Sequence, residues 1–162
     1  MLPGGKCSDI MKAARNDPDR SGVHKAWRPP VLPANPIEAR GHRLVDIGAL
    51  GARGVVEVRT AEHGILAVGL TPDGTPFAVS DVCRHQFGRL GRGLVTEDGC
   101  LQCPWHRARF DVTDGTMVSG PKGRIFGLPP YSQIVRATAD QFTLATHPVE
   151  IREDAIWLRT DT

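Results

Sequence analysis

Two short clusters constrain this chain more than anything else in it: Cys83-Arg84-His85 and, after seventeen intervening residues, Cys103-Pro104-Trp105-His106. Each supplies one thiol and one imidazole, so a fold that uses them together must bring two loops face to face. A Cys2His2 set can hold tetrahedral zinc, but zinc fingers usually place two cysteines in one knuckle and two histidines in the other. The alternating order Cys, His, Cys, His instead suits a two-iron centre. Each loop then gives a thiolate to one iron and an imidazole to the other. Neutral imidazoles donate less charge than thiolates, so they raise the potential relative to an all-cysteine cluster.

The clusters sit in longer segments, C-R-H-Q-F-G-R-L-G-R-G-L-V over 83–95 and C-P-W-H-R-A-R-F-D over 103–111. These segments resemble the Rieske [2Fe-2S] family, in particular its ferredoxin-type, low-potential branch, and the resemblance runs over residues 43–146. It implies a [2Fe-2S] cofactor with Cys83 and Cys103 on one iron and His85 and His106 on the other. It also implies an all-β, Rieske-like antiparallel sandwich or barrel with a cluster-binding subdomain of two loops. Pro121 and Leu128-Pro129-Pro130-Tyr131 resemble the third, proline-containing loop that covers the cluster in such domains.

Departures from the family pattern carry expectations of their own. High-potential Rieske proteins have two further cysteines, at positions that here are Gly88 and Trp105, so no disulfide joins the loops. The hydroxyl residues that donate to sulfur in those proteins correspond to Ala108 and Phe110. With fewer donors to sulfur, the potential is expected toward the lower end of roughly −150 to +300 mV. Arg107 and Phe87 each stand where the family commonly has glycine. Gly88, Gly91 and Gly93 are expected to let backbone amides approach sulfur.

The 162 residues make about one domain. In the oxygenases of the family a mononuclear iron site follows the cluster domain, and after His106 only a lone His147 is on offer here. Formal charge is +2, but residues 1–43 carry 8 Lys/Arg against 4 Asp/Glu, and residues 44–162 carry 12 against 14. A basic arm therefore precedes a mildly acidic domain. Arg84, Arg89, Arg92, Arg107 and Arg109 bracket the ligands and are expected to form a positive end that steers an acidic partner. Few aromatics and no binding motif argue against nucleic acid.

Residues 1–42 hold six of the thirteen prolines and read as a largely irregular arm, with a single helical stretch over Asp9–Arg15. Strands are expected over 43–47, 55–59, 65–70 and 76–80, then 133–137, 141–146, 149–152 and 155–159. This gives an arm (1–42), a cluster domain (43–146) and a C-terminal strand extension (147–162). Cys7 and Cys100 are not expected to pair, because one lies in a polar arm and the other three residues before a ligand. With no membrane span or leader pattern, that points to a soluble protein of a reducing, cytoplasmic compartment.

The expected function is a soluble Rieske-type ferredoxin carrying single electrons from a reductase to a terminal oxygenase or similar acceptor. Catalysis proper belongs to the partners, and no catalytic residue is assigned. A small Rieske subunit of a multisubunit oxidoreductase and a cluster-based redox sensor are the alternatives.

Overall fold

The computed structural model describes residue 7 and residues 35–84, 87–120 and 143–159. The expected helix over 9–15, the strand over 133–137, Pro121 and the 128–131 segment lie outside the described residues, as does His85.

Among the described residues, twelve strands fall into three sheets. The first has the order β1-β3-β4-β5-β10, from Ile37–Glu38, Val55–Thr60, Gly64–Leu70, Pro76–Ser80 and Thr146–His147. β1 runs parallel to β3, and the other pairs are antiparallel. The second sheet has the order β11-β12-β2, with Val149–Arg152 and Ala155–Leu158 joined to Arg43–Asp46. The third, order β6-β7-β8-β9, consists of Leu94–Val95, Leu101–Gln102, Arg109–Phe110 and Met117–Ser119. All-β architecture in antiparallel sheets is thus what the sequence pattern led us to expect.

The first sheet forms a wall between two cores. Successive side chains of a strand point to opposite faces, and here both faces are covered. Val56, Val58, Leu66, Val68 and Ala78 pack with Leu44, Val45 and Ile156 of the second sheet. Val55, Ala67, Phe77 and Val79 pack with Leu90, Leu101, Phe110 and the cysteines Cys83 and Cys103. Cross-strand register gives the cluster-side row Glu57↔Ala67↔Val79. A run such as Val55-Val56-Glu57-Val58 reads in sequence as a strand with a solvent side at Glu57, yet Glu57 is only 5% exposed. The third sheet and its loops cover it.

β11 and β12 return to the start of the domain. β12 lies between β11 and β2, pairing Ala155 with Asp46 and Ile156 with Val45. Ile156 is fully buried, and removing one such side chain from water is worth about 1.5–3 kcal/mol. The Trp157 indole donates from Nε1 to the Arg152 carbonyl at 3.1 Å and clips the hairpin.

Cys7 and Cys100 form a disulfide, with Cα atoms 5.4 Å apart across a sequence separation of 93. This overturns the expectation that they stay unpaired. Polarity of the surrounding arm was a poor guide, because Cys7 itself is buried against the domain at 5% exposure. Cys100 lies immediately before β7, held by Thr96.

Candidate metal centre

The two cysteine loops have the same backbone build. In the first, the Cys83 N–H donates to the Gly88 carbonyl at 2.8 Å and the Phe87 N–H donates to the Cys83 carbonyl at 2.8 Å. In the second, the Cys103 N–H donates to the Ala108 carbonyl at 2.8 Å and the Arg107 N–H to the Cys103 carbonyl at 3.2 Å. In both, the residue four after the cysteine lies in the left-handed region, Phe87 at φ 60° and Arg107 at φ 57°. These are the two positions where this chain departs from glycine. A side chain there costs about 1–2 kcal/mol, which accounts physically for the glycine of the family pattern.

Both loop cysteines lie outside any disulfide and are fully buried. Their side chains are hydrogen-bonded to each other, and this contact is the largest influence lowering the Cys103 thiol to about 7. Burial opposes it, and the backbone N–H groups of Trp105 and His106 donate to the same sulfur and lower it further. The spacer between Cys103 and His106 therefore aims amides at sulfur. His106 is half-buried.

The loops also touch where high-potential proteins carry their disulfide. A Cβ placed on Gly88 would lie 3.0 Å from Cys103 Sγ and 3.5 Å from Trp105 Cγ. The Trp105 indole thus covers Gly88, and only a residue with no side chain fits between it and the sulfur. Trp105 remains 62% exposed and Phe87 76% exposed.

Gly91 and Gly93 serve a different end from the one expected. The Gly91 N–H donates to Asp81 Oδ1 at 2.6 Å and the Gly93 N–H to the Leu90 carbonyl at 2.8 Å, so neither amide is directed at sulfur. A Cβ on Gly91 would come 2.7 Å from the Glu57 nitrogen, and one on Gly93 2.0 Å from the Gln102 oxygen. Both glycines let the first loop lie flat on its neighbours.

Buried charge anchors that loop. Arg89 Nε donates to Glu57 Oε1 at 2.8 Å and lies 2.7 Å from Asp81 Oδ2, while Arg92 Nε donates to Glu57 Oε2 at 2.6 Å. The single Nε–H of Arg89 points to Glu57, so Asp81 Oδ2 gains a nearby charge without a hydrogen bond. Burial pushes Asp81 up to about 7; the Gly91 amide and Arg89 oppose this, and Glu57 adds to it. Burial also works against the Glu57 charge, but the hydrogen bonds and charges of the two arginines hold its carboxyl below the usual range. Sequence patterning missed Glu57 and Asp81 because both sit in apolar strand contexts.

The expected ring of five arginines is correspondingly reduced. Arg89 and Arg92 turn inward to Glu57 and Asp81, and Arg109 pairs with Asp98 at 3.1 Å. Arg84 is exposed and Arg107 half-buried, and among the described residues neither makes an ion pair.

Among the described residues, no group of three His, Cys, Asp or Glu side chains converges as a metal site, and His85 falls outside them. What the structure shows is one half of a donor set: two buried soft thiols brought together from two like loops, with amides aimed at one sulfur. A family model described as the Rieske [2Fe-2S] domain matches residues 43–132. The chain belongs to the Rieske family. A Rieske domain carries a [2Fe-2S] cluster and moves single electrons in oxidoreductase systems, and the paired buried thiols fit the thiolate side of such a cluster.

The relatives of this Rieske chain include components of oxygenase systems. It is 37% identical over 100 residues to the oxygenase component of dicamba O-demethylase from Stenotrophomonas maltophilia, covering 62% of this chain and 26% of that protein. It is 42% identical over 45 residues to the ferredoxin subunit of anthranilate 1,2-dioxygenase from Burkholderia cepacia, covering 28% of this chain and 41% of the relative. The chain thus spans about a quarter of the first relative's length and less than half of the second's. In fold it is similar to the Sphingomonas yanoikuyae B1 ferredoxin, with a TM-score of 0.53 at 21% identity over 75% of this chain and 100% of the other.

Proposed function

We propose that this Rieske domain acts as a ferredoxin, taking single electrons from a reductase and delivering them to a terminal oxygenase or similar acceptor. In this reading Cys83 and Cys103 would hold one iron of the cluster and His85 and His106 the other. The bound cluster would supply a reversible one-electron couple. The observation that carries the reading is the pair of buried, mutually hydrogen-bonded cysteines, outside any disulfide, on two loops of like turn.

The residues around the cysteines have separate tasks. Trp105 and His106 present backbone N–H groups to Cys103 and stabilise its thiolate. Ala108 and Phe110 are fully buried beside the cysteines and offer no side-chain hydroxyl, which supports a potential in the lower part of the Rieske range. Leu90, Leu101 and Phe110 exclude water from the thiol side of the site.

Exposed Phe87 and Trp105, together with the exposed charge of Arg84, support docking through the loop tips to a partner with an apolar recess edged by carboxylates. Such an association weakens as salt rises. The arm, cluster domain and C-terminal extension, divided at 42 and 146, remain our working organisation. We place the carrier in the cytoplasm with its reductase, where the glutathione pool would hold the Cys7–Cys100 pair mainly as thiols.

The identity to an oxygenase component favours a second reading, in which this chain is the Rieske part of an oxygenase. The mass of the native polypeptide separates the two: 17.6 kDa for the ferredoxin, much more for the oxygenase. The cluster itself is tested by electron paramagnetic resonance of the reduced, anaerobically purified protein, with iron and zinc measured on the same sample. A rhombic signal of low average g with two irons per chain is the expected result. Zinc without a signal would sink both readings.

A further inference from the structure

The four cysteines divide into two pairs with separate chemistry. Cys83 and Cys103 are not disulfide-bonded and touch each other, whereas Cys100 is bonded to Cys7. Cys100 and Cys103 stand three residues apart across the two-residue strand β7, and such an odd spacing places side chains on opposite faces of an extended chain. That geometry keeps Cys100 from the cluster pair and leaves it for Cys7.

Cys100 is held ready for a bond. The Thr96 N–H and hydroxyl donate to its carbonyl at 2.8 and 3.0 Å, and its own N–H donates to Thr96 Oγ1 at 3.1 Å. The turn is thereby fixed on both sides of the sulfur-bearing residue. The Cα separation of 5.4 Å falls inside the span of about 4.4–6.8 Å that a disulfide bridges without backbone movement. Of the two, Cys7 at 5% exposure is the more open to small thiols and disulfides, and Cys100 at 0% is sheltered behind it.

We propose that Cys7 and Cys100 form a reversible thiol–disulfide exchange site, served by low-molecular-weight disulfides such as oxidised glutathione, that latches residue 7 to the cluster domain under oxidising conditions. The exchange runs in two balanced steps. The Cys7 thiolate attacks the small disulfide, forming a protein–glutathione mixed disulfide and releasing one glutathione thiol. The Cys100 thiolate then displaces the second glutathione and closes the Cys7–Cys100 bond. Two protein thiols are oxidised, one small disulfide is reduced to two thiols, and the two protons pass to the released thiolates.

In the closed state Cys7 is buried, and the turn ahead of β7 is tied from outside. In the open state residue 7 is free to leave. The latch is independent of electron transfer by the cluster and does not rest on the proposed ferredoxin role.

The test uses the full-length holoprotein, incubated with either oxidised glutathione or dithiothreitol, then denatured, alkylated and weighed. Oxidised wild-type protein is expected to take two alkyl groups, with Cys7 and Cys100 joined in one peptide pair, and reduced protein four. Cys100→Ser is expected to retain one glutathione on Cys7. Cys7→Ser, which alters only the arm side, covers the case in which Cys100→Ser fails to fold, and it is expected to show no internal bridge. Trypsin is expected to cut after Lys6 more than about tenfold more slowly in the oxidised wild type than in the reduced protein or in Cys7→Ser. Four alkyl groups in the oxidised protein, a bridge that includes Cys83 or Cys103, or equal cleavage rates would overturn the proposal.

Discussion

The two cysteine loops share a turn, down to the left-handed residue in each, but they are secured by opposite physics. The first is fixed by charge: Arg89 and Arg92 reach Glu57 on the central sheet, and Asp81 takes the Gly91 amide. The second is fixed by apolar packing at the ends of β7 and β8, where Leu101 pairs with Phe110 and both are fully buried. A common turn thus sets where the cysteines point, while the anchors decide what disturbs each loop. Salt and charge substitution act on the first, and cavities act on the second.

The largest effect expected removes the comparison altogether. Cys83→Ser and Cys103→Ser should each reduce iron to near zero and abolish the visible absorption, because either loop alone leaves the cluster half-held. Iron content and absorption of the purified variants check this. A Cys103→Ser protein that kept full iron would break the equivalence of the loops and the proposed ligand set with it.

Next come the anchors. Glu57→Ala leaves part-buried Arg92 without its carboxylate and Arg89 with Asp81 alone, and should cost about 2–4 kcal/mol, discounted for their partial exposure. Leu101→Ala should cost about 2–5 kcal/mol through the cavity it opens. The distinguishing readout is local. In the apo protein, Glu57→Ala should speed alkylation of Cys83 more than of Cys103, and Leu101→Ala the reverse. Equal acceleration of both thiols in both variants would mean that the loops open as one unit.

A pH response arises away from both loops. His147 and His63 lie with ring centroids 4.6 Å apart, and burial, then the neighbouring His63, holds His147 below its ordinary value of 6.5. A depressed histidine binds its proton more readily when unfolded, so stability is fully present above pH 6.5 and is lost as pH falls from there through the lower folded value. His147→Gln should flatten the acid limb of a urea-midpoint profile while leaving the order of loop alkylation unchanged. A limb of unchanged slope would assign the loss to other groups.

The smallest expected effect sharpens the common turn. Phe87→Gly and Arg107→Gly each relieve a side chain at positive φ and should stabilise by roughly 0.5 kcal/mol after the added freedom of the unfolded chain is subtracted. Thermal unfolding of the apo variants measures this. Similar gains at the two sites would confirm that the turns are energetically alike; a loss at Arg107 alone would show that its half-buried stem contributes packing.

Strands that alternate over four or more residues between clear turn signals were legible in sequence: β2 through β5 and the β11–β12 hairpin lie within a residue or two of expectation. Strands β6 to β9 were not, because runs of two or three residues show no periodicity and these are crowded by glycines and cysteines. That Cys83 and Cys103 come together from two loops was legible from their spacing, and so were Phe87 and Arg107 as departures from glycine, though not the positive φ behind them. Glu57 was hidden because one strand cannot reveal that another layer covers its outer face. The Cys7–Cys100 pairing was hidden because a bond across 93 residues leaves no local mark.

The place of β12 between β11 and β2 has a consequence in time. β2 emerges from the ribosome more than a hundred residues before Ile156 and Trp157, its partners. Contacts of such wide sequence separation form late. The wall that backs the cysteines on one side therefore lacks its own backing until β12 has been made. Metal loading that preceded this moment would meet a thiol pair not yet held in register, so maturation of the centre is set to follow the synthesis of β12.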